Sequence, residues 1–106
     1  MKNLFIQMNE KPIAYYRVYA KVTGQVVSGI LLSQLVYWGS TRKFAEFYKT
    51  DAEIAEETGL AVWEVKKAKK NLISKEYVSI EKKSIPCKTY YTINVDKLID
   101  DISKLE

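Results

Sequence analysis

Histidine is absent from this 106-residue sequence, and cysteine occurs once, at Cys87. The chain therefore lacks the commonest general base of enzymes, and one cysteine without histidine excludes the ordinary zinc sites. A single cysteine also excludes an intrachain disulfide, which fits a reducing compartment. There is no glycine-rich phosphate loop. We therefore expect neither an enzyme nor a protein that holds a cofactor.

Long hydrophobic runs are also missing. The most apolar stretch, residues 26–38, is interrupted by serine, glycine and glutamine. It is also shorter than the roughly 20 residues that span a bilayer. The first residues do not resemble a signal peptide, because Asn9 and Glu10 cut the apolar stretch short. We expect a cytoplasmic protein, in the host cytoplasm if it is viral, without a membrane partner.

The positive charge is concentrated in one third of the chain. Residues 60–94 carry eight lysines and three glutamates, a net charge of +5, whereas residues 1–59 carry +1 and residues 95–106 carry −2; together these give the chain's +4. Such a concentration predicts an electrostatic footprint for a polyanion. The length, and the lack of repeats or glycine–serine linkers, predict a single domain over residues 1–106.

Periodicity and turn residues predict an α+β fold that is mainly helical. In chain order the predicted elements are a short strand at 4–8, helices at 13–22 and 25–39, a strand at 46–49, helices at 51–58 and 61–75, strands at 77–82 and 88–94, and a helix at 95–105. The helix-turn-helix at about 51–75 and the hairpin at about 77–94 follow the winged helix-turn-helix order. The remaining elements are extra N-terminal helices and a C-terminal helix.

Local signals mark the ends of these helices. Thr50 and Glu53 have the spacing of a capping box, which starts the helix at residue 51, and Gly59 suits the left-handed residue that ends it. Pro12 suits the first turn of the helix at 13–22. Asn94 suits the N-cap of the last helix.

Two helices offer apolar surface beyond a single face. The helix at residues 25–39 is apolar all round, so it is either central to the core or shared with a partner. We expect a central core helix. The helix at 95–105 carries an apolar stripe formed by Val95, Leu98, Ile99, Ile102 and Leu105. A homodimer, where one forms, is expected to use one of these two helices.

The helix at residues 61–75 has two faces of opposite character. At about 100° per residue, one side holds the apolar residues Val65, Ala68 and Leu72. A sector about 100° wide on the opposite side holds Trp63, Lys66, Lys67 and Lys70. An exposed basic helix, presented by a short helix packed across it, fits the major groove of duplex DNA. The alternative for the lysines is a solvated face that serves only solubility.

Residue type suggests separate roles on this helix. The lysines would pair with phosphates and set the register on the duplex. Bases would be read from the N-terminal turn, by Val62 and Trp63 against a thymine methyl and by Glu64 accepting from cytosine, with Asn71 contributing further along. The alternative for Trp63 is packing against the preceding helix.

Three further lysines flank the hairpin turn: Lys82, Lys83 and Lys88. In a winged helix this loop reaches the phosphate backbone or the minor groove. Lysines at a hairpin edge also deter edge pairing, and both interpretations stay open. Tyr90 and Tyr91 are similar to the tyrosine pair of DNA-nicking enzymes, but metal-binding partners are lacking, so we expect strand packing.

Residues 50–93 resemble winged helix-turn-helix domains of bacterial and phage regulators and replication proteins. The resemblance runs through Ala55, Gly59, Leu60, Val65, Ala68 and Leu72. The segments GQVVSGILLSQLVYWGS, EFYKT and IPCKTYYTINVDKL are similar to the N-terminal DNA-binding domains of phage and plasmid replication initiators, or replisome organisers. Over residues 12–100, the resemblance implies a DNA-binding module with replication proteins as partners.

The sequence departs from this family at two points. Ala61 stands where a capping serine or threonine is usual, which weakens the helix start by ~1 kcal/mol. The recognition helix also lacks arginine, the commonest reader of guanine. Three functions remain open: a replication-initiation module that binds double-stranded DNA, a dimeric transcriptional regulator of the same fold, and a winged helix that binds only proteins.

Overall fold

The computed structural model of the chain describes residues 3–83 and 88–105. In chain order its elements are α1 (Leu4–Met8), α2 (Arg17–Thr23), α3 (Val26–Ser40), β1 (Phe47–Tyr48), α4 (Asp51–Thr58), α5 (Val62–Ser74), β2 (Val78–Lys83), β3 (Lys88–Ile93) and α6 (Val95–Ser103). The fold is α+β and mainly helical, as predicted. The predicted turn at residues 84–87, which includes Pro86 and Cys87, lies outside the described residues.

The three strands form one antiparallel sheet in the order β1-β3-β2. Tyr91 on the central strand is opposite Phe47 on one side and Ile80 on the other. Successive residues of a strand point to opposite faces, so these three side chains share the inner face with Val78 and Ile93. Four of the five are buried and Ile80 is partly buried, which confirms the predicted alternation and the packing role of Tyr91.

Helix α3 is the centre of the core. Its residues Leu31, Leu32 and Leu35 are fully buried, and the helix contacts α2, α4, α5 and β3. The predicted central core helix is therefore confirmed. On α6, Leu98 is buried, whereas Ile99 remains 61% exposed, so the C-terminal stripe is only partly covered within the chain.

Helices α2 and α3 approach closely at a glycine. A Cβ atom built on Gly29 would lie 2.7 Å from the backbone nitrogen of Ala20 and 2.9 Å from its Cβ atom. No side chain fits there without moving α2, because the obstructing atoms are mainly backbone. Gly29 therefore sets the distance between the two N-terminal helices.

Two N-terminal predictions are wrong. Residues 4–8 form a helix rather than a strand, because no strand in the described part of the chain pairs with them. Their backbone is satisfied locally, as in the Gln7 N–H bond to Asn3 O at 3.1 Å. Helix α2 begins at Arg17 rather than at residue 13. Side chains of α3 hold the preceding backbone: Tyr16 N–H donates to Ser33 Oγ at 3.0 Å, and Gln34 Nε2 donates to Ala14 O at 3.2 Å.

Two buried tyrosines differ in the environment of their hydroxyl groups. Tyr77 Oη donates to Asp101 Oδ2 at 2.7 Å, whereas the Tyr91 hydroxyl has no hydrogen-bond partner among the described residues. Burial and the contact with Asp101 raise the pKa of Tyr77 to about 12. The same hydrogen bond holds the pKa of Asp101 below its usual value.

Removing these hydroxyl groups one at a time is expected to have different effects. Tyr77→Phe should lower the free energy of unfolding by about 1–3 kcal/mol, because a hydrogen bond to a charged acceptor is lost. Tyr91→Phe should leave it unchanged or raise it by up to about 1 kcal/mol, because an unsatisfied buried group is removed. Urea denaturation followed by circular dichroism measures both.

The pH dependence provides a control. The hydrogen bond between Tyr77 and Asp101 stabilises the folded state fully above the pKa of aspartate in the unfolded chain, about 3.9. This stabilisation is lost as the pH falls through the lowered pKa of Asp101 in the folded state. The difference in the free energy of unfolding between the parent and Tyr77→Phe should therefore disappear in acid. If Tyr77→Phe and Tyr91→Phe lost equal amounts of stability at neutral pH, the different environments assigned to the two hydroxyl groups would be contradicted.

Candidate nucleic-acid interface

The start and end of α4 are fixed by local hydrogen bonds. Thr50 Oγ1 accepts from Glu53 N–H at 3.0 Å, and the Glu53 carboxylate accepts from Thr50 N–H at 3.1 Å. The predicted capping box is confirmed, and these bonds lower the pKa of Glu53. Gly59 ends the helix at φ +78° and donates its N–H to Ala55 O at 2.9 Å. The chain therefore turns into α5 within residues 59–61.

The first turn of α5 is held by Glu64. Ala61 occupies the N-cap position and has no side-chain acceptor, but the Glu64 carboxylate accepts the Ala61 N–H at 2.9 Å. This bond supplies half of a capping box and offsets part of the weakness predicted from Ala61. It also engages one carboxylate oxygen of the residue predicted to accept a hydrogen bond from cytosine.

The exposed face of α5 agrees with the sequence prediction. Val65, Ala68 and Leu72 are buried, whereas Trp63 is 66% exposed and Val62, Lys66, Lys67 and Lys70 are exposed around it. The high exposure of Trp63 argues against the alternative that it packs mainly against the preceding helix. Within the described residues, no carboxylate oxygen lies within 4.0 Å of the ammonium groups of these three lysines. Their charge is therefore available to a ligand.

Lys69 differs from the other lysines of α5. Its Nζ lies 2.7 Å from Asp51 Oδ1, and both side chains are largely buried. The ion pair joins the middle of α5 to the first residue of α4. Lys69 therefore fixes the two helices relative to each other and is not part of the exposed face.

Asn71 is not brought to the exposed face. Its Nδ2 donates to Ser28 Oγ at 2.7 Å and to Thr23 O at 3.2 Å. Ser28 Oγ in turn donates to Gln25 Oε1 at 3.3 Å. The predicted base reader is therefore committed to the turn between α2 and α3, where it donates to Thr23 O and to Ser28 Oγ.

A groove beside Trp63 contains residues that the sequence did not single out. Gln25, Val26 and Val27 at the start of α3 line a cavity of about 180 Å³ together with Trp63 and Lys67. Val26 is 60% exposed, so it extends the apolar patch of Trp63. No local signal could have indicated this contact, because the residues are far apart in the chain.

The hairpin lysines have different surroundings. Lys82 is exposed. Lys83 pairs with Glu46, which raises the pKa of Lys83, and its Nζ lies 4.7 Å from the ring centroid of Tyr90. Lys88 Nζ lies 4.5 Å from the ring centroid of Tyr48. The three lysines thus lie near the hairpin end, but two of them already have partners on the sheet.

Asn71 and Lys70 allow a test of inward and outward roles. Asn71→Ala is expected to lower the free energy of unfolding by about 1–3 kcal/mol, because Thr23 O and Ser28 Oγ lose a donor. Lys70→Ala, on the exposed face, should change it by no more than about 0.5 kcal/mol. Urea denaturation measures both, and similar effects from the two variants would contradict the inward role of Asn71.

The described residues offer little else that indicates a ligand. No three His, Cys, Asp or Glu side chains among them are grouped so as to hold a metal ion, and no helix in this part of the chain is long and apolar enough to cross a membrane. Comparison with protein-family models, with curated proteins and with solved structures gives no match.

Proposed function

We propose that the chain is a winged helix-turn-helix domain that binds duplex DNA, with α5 in the major groove and the β2–β3 hairpin as the wing. The observation that carries this proposal is the face of α5. Lys66, Lys67 and Lys70 are exposed there without carboxylate partners in the described structure, on a helix held by buried contacts. The order α4, α5 and hairpin supports the winged-helix assignment.

The dimensions and chemistry of α5 fit this role. Its 13 residues make a helix about 20 Å long, and the major groove of B-DNA is about 12 Å wide and admits one helix. Lysines spread over one side of the helix can reach phosphates along the groove walls. The N-terminal turn, with Val62 and Trp63, would then meet the edges of the bases.

Base reading by this helix is restricted. Asn71 faces the α2–α3 turn, and Glu64 is bonded to Ala61. Since α5 carries no arginine, Val62 and Trp63 are the predicted base readers that remain exposed, and both favour apolar contact with a thymine methyl. We infer binding that depends chiefly on phosphates, with a weak sequence preference.

The biological role within DNA binding is a separate question. The replication-initiation or replisome-organiser role rests on the resemblance of residues 24–40, 46–50 and 85–98 to such proteins. A dimeric transcriptional regulator is favoured by a different observation, the exposed Ile99 on α6 and the exposed Leu105 just beyond the end of that helix. A twofold dimer requires palindromic half-sites about one helical turn apart, whereas a monomeric module does not.

Charge reversal on α5 tests the interface. The triple variant Lys66→Glu, Lys67→Glu, Lys70→Glu is expected to abolish the gel shift of a duplex of about two helical turns, because attraction to phosphates becomes repulsion. The matched control reverses Lys11, Lys21 and Lys43, which are exposed away from α5 and the hairpin. Each triple takes the net charge from +4 to −2. Both should stay folded by circular dichroism.

Two results would reject the assignment of α5. Unchanged affinity in the α5 triple would show that another surface binds the duplex. If the two triple variants lost affinity for the duplex equally, net charge and not the exposed face of α5 would determine binding.

Salt dependence supplies a second test. Each phosphate neutralised on B-DNA adds about 0.9 to the slope of log affinity against log salt. The three lysines should therefore give a negative slope with a magnitude of about 2.7 or more. Lys70→Gln should reduce that magnitude by about 0.9. Fluorescence anisotropy over a range of salt concentrations measures both, and a flat response would favour the protein-interaction function.

A further inference from the structure

The outer face of the sheet carries two tyrosines side by side. Tyr48 on β1 is opposite Tyr90 on β3, with ring centroids 5.8 Å apart and ring planes inclined by 54°. Tyr48 is 44% exposed, and Tyr90 is partly exposed. The outer face therefore presents two aromatic surfaces to solvent, whereas the neighbouring Phe47 and Tyr91 fill the core.

A lysine covers each ring. The ammonium of Lys88 lies 4.5 Å from the ring centroid of Tyr48, and that of Lys83 lies 4.7 Å from the centroid of Tyr90. These two lysines are directly opposite each other across β2 and β3. Like charges in directly opposite positions destabilise a sheet.

We propose that this outer face binds single-stranded nucleic acid, with one base stacked on Tyr48 and one on Tyr90. In the bound state each lysine moves from its ring to a phosphate, and a base takes its place. Both new contacts are known from sequence-tolerant single-strand binding, in which bases stack on aromatic side chains and lysines contact the backbone. The proposal does not depend on α5.

The charge of the face favours a single strand over a duplex. Lys83 and Lys88 share it with Glu46 and Glu81, and Lys83 already pairs with Glu46. With two cations and two carboxylates the face attracts phosphates weakly, so affinity must come from stacking. Duplex DNA offers few free base faces for stacking, whereas a single strand offers one at each nucleotide.

The competing explanation is that the lysines only protect the sheet and shield its rings. Substitutions in the full chain separate the two explanations. The probes are fluorescent oligothymidylate and oligouridylate of about 12 nucleotides, within the usual range of site sizes, followed by fluorescence anisotropy. The variants are Tyr48→Leu and Tyr90→Leu, with Tyr48→Phe and Tyr90→Phe as conservative partners and Tyr37→Leu as the control. Tyr37 lies on α3 and is 56% exposed.

Loss of one stacked base should weaken binding at least about fivefold in each leucine variant of the sheet. The phenylalanine variants and Tyr37→Leu should bind as the parent does. The slope of log affinity against log salt should have a magnitude of no more than about 1.4, because two phosphates on a single strand contribute about 0.7 each. Equal affinity for the two probes assigns the site to either nucleic acid, and stronger binding of oligouridylate assigns it to RNA through the 2′-hydroxyl.

Three results would overturn the proposal: no binding of either probe by the parent, equal binding by the leucine variants and the parent, or loss of single-strand binding in the Lys66, Lys67 and Lys70 reversal. The last result would place both ligands on α5. If that triple lost duplex binding and kept tyrosine-dependent single-strand binding, both proposals would stand. If duplex binding were absent from the parent, only the proposed function would fail.

Nuclear magnetic resonance of the parent avoids any loss of folding in the variants. Adding oligothymidylate should shift the ring signals of Tyr48 and Tyr90 and leave those of Tyr37 unchanged. Shifts confined to other residues would overturn the proposal.

Discussion

The packing of Val65, Ala68 and Leu72 against α3 is the constraint on which the proposed duplex interface depends. All three are essentially inaccessible to solvent, and full burial of a valine or leucine side chain contributes about 1.5–3 kcal/mol. A helix has a fixed angular spacing, so burying this side directs Lys66, Lys67 and Lys70 to the opposite side. The basic face is therefore a consequence of the core, and the helix cannot rotate without exposing apolar surface.

Polar contacts along the same boundary restrict α5 further. Asn71 bonds to the α2–α3 turn, and the largely buried ion pair of Lys69 with Asp51 joins α5 to α4. Hydrogen bonds require particular distances and angles, so these contacts fix the rotation and axial position that apolar packing leaves loosely defined. In the proposed complex, a helix held in this way would lose little backbone freedom on binding, which reduces the entropic cost of association.

The features that sequence reasoning predicted well depend on neighbours in the chain. The capping box at Thr50, the left-handed Gly59 and the two faces of α5 all follow from residues within about two turns of each other. The features that it missed depend on distant contacts. Ser33 holds the backbone of Tyr16, Asn71 bonds to Thr23 from 48 positions away, and the Tyr48–Tyr90 pair exists only once β1 joins β3. Periodicity contains no information about such pairings, so residue type alone suggested a base-reading role for Asn71 and a strand at residues 4–8.

The hairpin lysines connect the two proposed surfaces. In the described part of the chain, Lys82 has neither a ring nor a carboxylate as a partner, whereas Lys83 and Lys88 lie over tyrosines. Moving an exposed lysine off an aromatic ring loses a cation–π contact, so a duplex contact by the wing must offset that loss, and Lys82 is the lysine that needs no rearrangement. A single strand on the sheet would draw Lys83 and Lys88 to its own phosphates. The same two ammonium groups cannot then serve a duplex, so occupation of the sheet weakens the wing's contribution and leaves that of α5 intact.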